Sequence, residues 1–412
     1  MPGREFFRTR TVAEALASLP TTPPTAAEPV GLDDALGRVP AVPVVSPHAL
    51  PGFARSTVDG FAVQAADTYG ASDGLPAYLE VMGAVAMGTA PDVGVRTGGA
   101  ASMPTGGVLP DGADAVVMVE HTQQTMAGTV EVVRPAAPGD GVVRADEDVA
   151  AGDEIAPAGR PLRATDLGML AAAGVTWVDV HARPLVGIVS TGDEVVPPET
   201  PELAPGQVRD ATTAALAGLV RQAGGVPRSF GIVADDGSAL EDVLRTAVAA
   251  CDVVVVSAGS SVGARDETAR AVERLGPPGI VCHGVAVRPG KPTLLAQVGQ
   301  VPVVGLPGNP LSALVVFRLL GVPLVLRVGG CTRPPPEPTT GARLARQVAS
   351  QAGRRDVVQV RLEPDGGVTV AHPVLGASAL LSVLTSADGC VVVPEDATGL
   401  DEGADVTVTL YR

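Results

Sequence analysis

Six carboxylates, Asp59, Asp148, Asp193, Glu194, Asp210 and Asp266, stand beside Gly, Ser or Thr or in short polar turns. Carboxylates gathered at strand ends can hold Mg²⁺, which takes oxygen ligands and completes its shell with water and substrate phosphates. Asp is also a good helix cap and turn former, so each of them alone has a local explanation. A second signal is a cation: the 29 basic residues are 28 Arg and one Lys, Lys291. An ammonium is a compact point charge and a guanidinium a planar fork, so a lysine spared at one position reads as a point contact to an anion, with chance survival as the alternative. Third, GSSVG (259–263) matches the G-x-S-x-G nucleophile elbow, with Ser261 after a strand and before a helix. Against a hydrolase, Ala264-Arg265-Asp266 intervene before the helix, no HGGG-type segment is present, and His283 and His372 lie in strand-like stretches. GxGxxG and GxxxxGK[ST] are both absent, which leaves dinucleotide and P-loop chemistry unsupported.

Positioning these residues requires a scaffold with several loops at one edge. Apolar strands at 184–190, 229–235, 252–259 and 302–308 alternate with helical patterns around 213–224, 238–250, 266–275 and 310–320, the rhythm of a parallel α/β sheet. The loops STGDE (190–194), SAGSSVGARD (257–266), RPGKP (288–292) and LPGNP (306–310) carry the polar residues. Ligands of open α/β folds bind in the crevice beyond the strands' carboxyl ends, so these four loops are expected to form a pocket. Residues 52–144 are short alternating stretches broken by Gly and Pro, a β-rich domain. They interrupt a unit made of 1–51 and 145–182, with helices at 11–19 and around 163–174, whose apolar faces need partners. Residues 183–328 form the α/β domain. A proline-rich linker, TRPPPEPTTG (332–341), opens the region 329–412, whose stretch 356–373 alternates around Pro364-Asp365-Gly366-Gly367 like a hairpin in a small β domain.

A chain of 412 residues favours two to four domains. Its net charge of −16 opposes phosphate backbones and anionic lipid, which argues against nucleic acid and membranes as partners. Four cysteines 31 or more residues apart, with no CxxC and no HExxH, indicate neither a zinc site nor a disulfide framework. The charged start MPGREFFRTR leads into no apolar run, so no secretory signal is read and the expected location is cytoplasmic. The uncharged stretch 292–317 contains four prolines and reads as strands and loops running into a helix.

The ordered motifs LPGFARSTVDGFAV (50–63), PTGGVLPDGADAVVMVE (104–120), EDVAAGD (147–153), STGDE, GQVRDAT (206–212), SVGARD (261–266), RPGKP, LPGNPLSA (306–313) and ASALLSVLTSADG (377–389) closely resemble the molybdopterin molybdenumtransferases, the MoeA and gephyrin E-domain family. The resemblance covers essentially the whole chain. It implies an elongated, four-domain homodimer with a MogA-like α/β domain, an inserted β-rich domain and a C-terminal β domain. It further implies insertion of molybdenum from molybdate into adenylylated molybdopterin with release of AMP and use of Mg²⁺. A MogA-like adenylyltransferase and recipient molybdoenzymes are the partners that this activity implies. Carried over, the functional positions fall on Asp59, Thr105, Asp148, Glu194, Asp210, Asp266 and Lys291, with Glu194, Asp210 and Asp266 as metal ligands. Thr191, Gly192, Ser260, Ser261, Gly263, Pro289, Gly290, Pro307, Gly308, Asn309 and Ser312 would cradle the pterin phosphate or adenylate. Arg354 and Ser378 match positions linked to molybdate. Ala54, Arg288 and Ala211-Thr212 depart from the family pattern. A non-catalytic scaffold and a Ser261 hydrolase are the alternatives.

Overall fold

The valine-rich runs of the central region become strands buried along nearly their whole length, because helices cover both faces of the sheet they form. The computed structural model describes residues 9–257 and 262–411, without the side chains of Thr125 and residues 262–266. Its central sheet has six strands in the order Val226–Val233, Leu185–Thr191, Val253–Ser257, Val301–Leu306, Leu294–Val298, Pro278–His283. The first four are parallel, as expected. Leu294–Val298 runs antiparallel to both neighbours, so the sheet is mixed where an all-parallel one was expected. The physical reason is the connection: only Gly299 and Gln300 separate this strand from Val301, enough for a hairpin and far too short for a crossover. The reversal has a functional consequence. Leu294 pairs with both His283 and Gly305, which brings the RPGKP loop before Leu294 to the same edge as the loops that follow the parallel strands.

Helices Ala211–Gln222, Gly237–Ala250 and Val262–Arg274 flank the sheet, together with a continuous helical run Pro310–Val328 that contains a π turn at Phe317–Gly321. That run of 19 residues is long and apolar enough to cross a membrane, but 67% of it is buried inside the protein. It is a core helix by packing. One apolar cluster joins Ile188 and Val255 of the sheet, Val315 and Phe317 of this helix, and Val357 and Cys390 of the C-terminal region. The N-terminal helix Val12–Ala17 adds Val12 and Ala15, with Leu19 just beyond its end, to the same cluster. The apolar face expected at 11–19 therefore finds its partner within the chain, on the α/β core.

Around the insertion, Ala27–Gly31 pairs with Trp177–His181 and Val44–Val45 with Glu154–Ala156, over a core that includes Ala35, Leu162 and Leu170. Leu170 lies on helix Ala164–Ala172. The inserted β-rich unit is a six-stranded sheet in the order Ala115–Met118, Gly60–Val63, Gly99–Met103, Ala77–Ala84, Thr129–Val132, Thr122–Met126. In the C-terminal region, Arg355–Asp365 and Val368–Pro373 form the hairpin read from the sequence. With Thr339–Leu344, Asp405–Leu410 and Gly389–Val393 they close into a barrel, because Arg355–Asp365 also pairs with Gly389–Val393.

Candidate functional site

Between the α/β sheet edge and the barrel lies a cavity of about 1060 Å³. One wall is the segment 285–292, the PGNP loop and the start of helix Pro310–Val328. The other is barrel residues 347–359 and 374–378. The two walls are joined by backbone hydrogen bonds. Val287–Arg288 pairs in parallel with Arg355 and Asp356, and Arg355 N donates to Ala286 O at 2.8 Å. On the opposite side of the same segment, Ala286 N donates to the carbonyl of Arg10 at 2.7 Å.

Nine residues expected from the sequence line this cavity: Pro289, Gly290, Lys291, Pro307, Gly308, Asn309, Ser312, Arg354 and Ser378. Gly290 is required by its backbone. Its φ is +125°, and a Cβ there would meet Val316 Cγ2 at 2.2 Å. The turn is pinned by Val285 N donating to Lys291 O (2.9 Å) and Thr293 Oγ1 to Gly290 O (2.6 Å). The Lys291 side chain, in contrast, is exposed and makes no ion pair among the described residues. Asn309 precedes Pro310 at the helix start but does not cap its own helix. Its Nδ2 donates to Ser378 Oγ at 2.9 Å, while Leu311 N donates to Ser378 O at 3.2 Å, so the C-terminal region supplies one of the partners that the helix start lacks.

Two residues that the sequence reading did not assign complete the charged lining. Asp356 is 3% exposed and accepts from Arg354 Nε at 2.8 Å, Arg354 Nη2 at 3.3 Å and Arg288 Nη1 at 3.4 Å. Arg354 immediately precedes the strand Arg355–Asp365 and lies two residues before Asp356, a spacing that was available in the sequence. Arg288 reaches Asp356 through the ladder between distant segments, which carries no local signature. Among the lining residues the charges are three cations, Arg288, Lys291 and Arg354, and one carboxylate, Asp356.

The remaining carboxylates lie elsewhere. Thr191 and Gly192 end the strand Leu185–Thr191 and are buried. Glu194 and Asp210 flank a small parallel ladder, Val195–Val196 with Val208–Arg209. Asp210 is 7% exposed, and both its oxygens are engaged with Thr213, Oδ1 accepting from N (3.0 Å) and Oδ2 from Oγ1 (2.7 Å), which caps helix Ala211–Gln222. Burial, then the charges of Asp193 and Glu194, push the Asp235 carboxyl above its ordinary range. Asp59 and Thr105 meet in the β-rich unit, where Asp59 Oδ1 accepts from Thr105 N (2.7 Å) and Oγ1 (3.0 Å) and its pKa is lowered by those two bonds. Asp148 is exposed beside Leu50, to whose carbonyl its N–H donates at 3.1 Å. Ser260 and Ser261 lie outside the described residues, as does the side chain of Asp266; Gly263 and Asp266 fall on helix Val262–Arg274, so Ala264-Arg265-Asp266, expected to intervene before the helix, are part of it.

Among the described residues no three metal-ligating side chains converge. Of the expected Mg²⁺ ligands, Asp210 uses one lone pair of each oxygen on its helix cap, and the side chain of Asp266 lies outside the described residues. Burial pushes the thiols of all four cysteines up, which fits packing roles.

Three family models match the chain: MoeA N-terminal region (domain I and II) over residues 10–174, probable molybdopterin binding domain over 187–327, and MoeA C-terminal region (domain IV) over 341–411. The chain is 35% identical over 386 residues to a molybdopterin molybdenumtransferase of a Nostoc species, covering 92% of this chain and 88% of that one. It is 34% identical over 404 residues to molybdopterin molybdenumtransferase 2 of Mycobacterium tuberculosis, covering 97% of both. A crystal structure of the molybdopterin biosynthesis MoeA protein from Pyrococcus horikoshii superposes with a TM-score of 0.84 at 30% identity, covering 98% of this chain and 100% of that one.

Proposed function

The chain belongs to the molybdopterin molybdenumtransferase family, and from that premise we propose that it inserts molybdenum from molybdate into adenylylated molybdopterin with release of AMP. It is an enzyme of molybdenum cofactor biosynthesis. The observation that carries the finer reading is the cationic cavity. A net positive charge in a concave site is unexpected in a chain of net charge −16, and it suits an oxyanion substrate. Lys291 supplies a mobile point charge, Arg354 a fork held in place by Asp356, and Ser378 a hydroxyl oriented by Asn309. These groups would hold molybdate at the junction of the two walls. The TGDE and PGNP loops at the same sheet edge offer backbone amides to the pterin and nucleotide phosphates. Mg²⁺ belongs to this reading as a companion of those phosphates, with Glu194 as an available carboxylate.

Neither alternative is favoured. Relatives matching over 92% and 97% of the chain carry transferase names. A homodimer is part of the proposal. Large apolar side chains at Trp177, Leu36, Val42 and Val45 are each exposed on the unit around the insertion, Trp177 at 67%, which fits burial against a second copy. We place the reaction in the cytoplasm, with the adenylylated substrate delivered by a MogA-like enzyme and the product passed to molybdoenzymes. Purified protein given adenylylated molybdopterin, Mg²⁺ and molybdate is expected to release AMP in step with molybdenum insertion. AMP release that ignores molybdate would overturn the reading, and sedimentation showing only monomer at micromolar concentration would overturn the dimer.

A further inference from the structure

Asp356 is a buried carboxylate in a cavity whose proposed ligand is itself an anion. Its Oδ1 and Oδ2 take the Nε and Nη2 hydrogens of Arg354, and Oδ2 also takes an Nη1 hydrogen of Arg288. The partners come from opposite walls: Arg288 from the α/β segment, Asp356 from the barrel strand and Arg354 from the turn just before it, with Arg288 and Asp356 in register on adjacent strands. The Arg288 side chain is 61% exposed and that of Arg354 31%, so each keeps donors free for a ligand while one face is tied down. A carboxylate here has two opposite effects. It fixes two flexible guanidinium groups, and it lowers the positive potential that an entering oxyanion meets.

We propose that Asp356 is a positioning residue for the oxyanion step, an internal carboxylate that holds Arg354 and Arg288 in a competent arrangement and competes with the incoming oxyanion for their donors. This rests on the reading that the cavity takes molybdate. An entering tetrahedral oxyanion shares the two forks with Asp356. The carboxylate therefore weakens equilibrium binding while keeping the guanidinium groups aligned for turnover. Lys291, with no such partner among the described residues, follows the ligand freely.

The two effects separate in one experiment. Asp356→Asn keeps the volume and removes the charge. Titration calorimetry with molybdate, and with sulfate as a second probe, is expected to show binding several-fold tighter than wild type. Molybdate-dependent AMP release at saturating molybdate is expected to fall about tenfold or more, the size of loss typical when a group orienting a ligand is removed. A side chain with only a structural role would weaken binding and turnover together, and a spectator would change neither beyond twofold; either outcome overturns the proposal. Should Asp356→Asn fail to fold, Asp356→Glu retains the charge and moves it by one methylene. Affinity within twofold of wild type with AMP release several-fold slower supports the proposal, and unchanged AMP release overturns it. Wild-type protein that binds neither molybdate nor sulfate would remove the oxyanion reading itself, a failure visible before any variant is made.

Discussion

The cationic cavity and the acidic strand ends share one edge of one sheet, but different forces hold them in place. In the cavity, side chains distant in sequence are fixed by long-range ladders: Arg288 meets Asp356 because two strands pair, and Asn309 meets Ser378 because a helix start docks on the barrel. At the acidic ends the carboxylates meet mainly backbone groups. Asp210 caps the helix that follows it, Asp193 accepts from Asp235 N, 42 residues on, and Glu194 flanks a two-rung ladder. The lesson is that charge type at a loop says little until the partner is known. Carboxylates at these loops accept from backbone donors, near or far in sequence, whereas the Lys291 side chain makes no ion pair among the described residues.

The comparison is tested most strongly at Lys291. Replacing it by Ala should lower molybdate-dependent AMP release on the order of 100-fold, the cost of removing one preorganised contact to a charged reacting group. Lys291→Arg should still lose roughly tenfold, because a guanidinium fork cannot stand in for a compact ammonium. Steady-state kinetics against molybdate concentration decide it. Lys291→Arg equal to wild type would return the lysine to chance and move the anion contact to Arg354 and Ser378.

The next effect tests the acidic side. Asp210→Ala removes a helix cap and should cost about 1 kcal/mol, read as a lower denaturant midpoint, while Asp210→Asn, itself a good cap, should stay within a few tenths. If capping is the carboxylate's whole role, AMP release in Asp210→Asn should remain within threefold of wild type, since the amide can keep both contacts to Thr213. A loss beyond tenfold would give the carboxylate a second role and bring the two regions closer in kind.

Much of this division was legible in the sequence. Valine runs ended by Gly- and Asp-bearing loops specified the sheet, the edge at which its loops gather and the hairpin at 356–373, because those patterns are local. Lys291 stood out by composition alone. Three things were not legible. The reversal of Leu294–Val298 depends on a two-residue turn within a stretch of uniform polarity. The docking of Val12–Ala17 on the α/β core, and the use of Asp356 to hold Arg288, depend on tertiary pairing that no spacing records.

A smaller effect is expected at Asp235. Desolvation and the charges of Asp193 and Glu194 raise its pKa above that of an unfolded aspartate, so the folded state holds this proton more tightly than the unfolded state does. Its ionisation therefore costs stability above the raised folded pKa, and the cost fades as pH falls below the unfolded value. Asp235 is largely exposed, and solvent screening discounts the energy to about a few tenths of a kcal/mol. Asp235→Asn should be more stable than wild type by that amount at neutral pH and equal to it near pH 3, in chemical denaturation at both values. A variant less stable at neutral pH would mean that the acidic cluster is held together by a cation that the carboxylates share.

The smallest effect concerns the Asp59 carboxylate, which stands outside both regions and tests whether a backbone donor alone holds a carboxylate here. The Thr105 backbone N–H, and then its hydroxyl, depress the Asp59 pKa. A depressed acid contributes stability that is present above the unfolded pKa and is lost as pH falls through the lower folded value. Thr105→Ala deletes the hydroxyl but keeps the backbone donor, the larger of the two causes, so the Asp59 pKa should rise only part of the way to an ordinary aspartate. Carboxyl NMR titration of wild type and Thr105→Ala reads this directly. A full return to the ordinary value would show that the turn opens when the hydroxyl goes, and that the side chain, not the backbone, shapes it. In that case Asp59 is held by a threonine as deliberately as Arg354 is held by Asp356, and it would belong with the cavity rather than with the capped carboxylates.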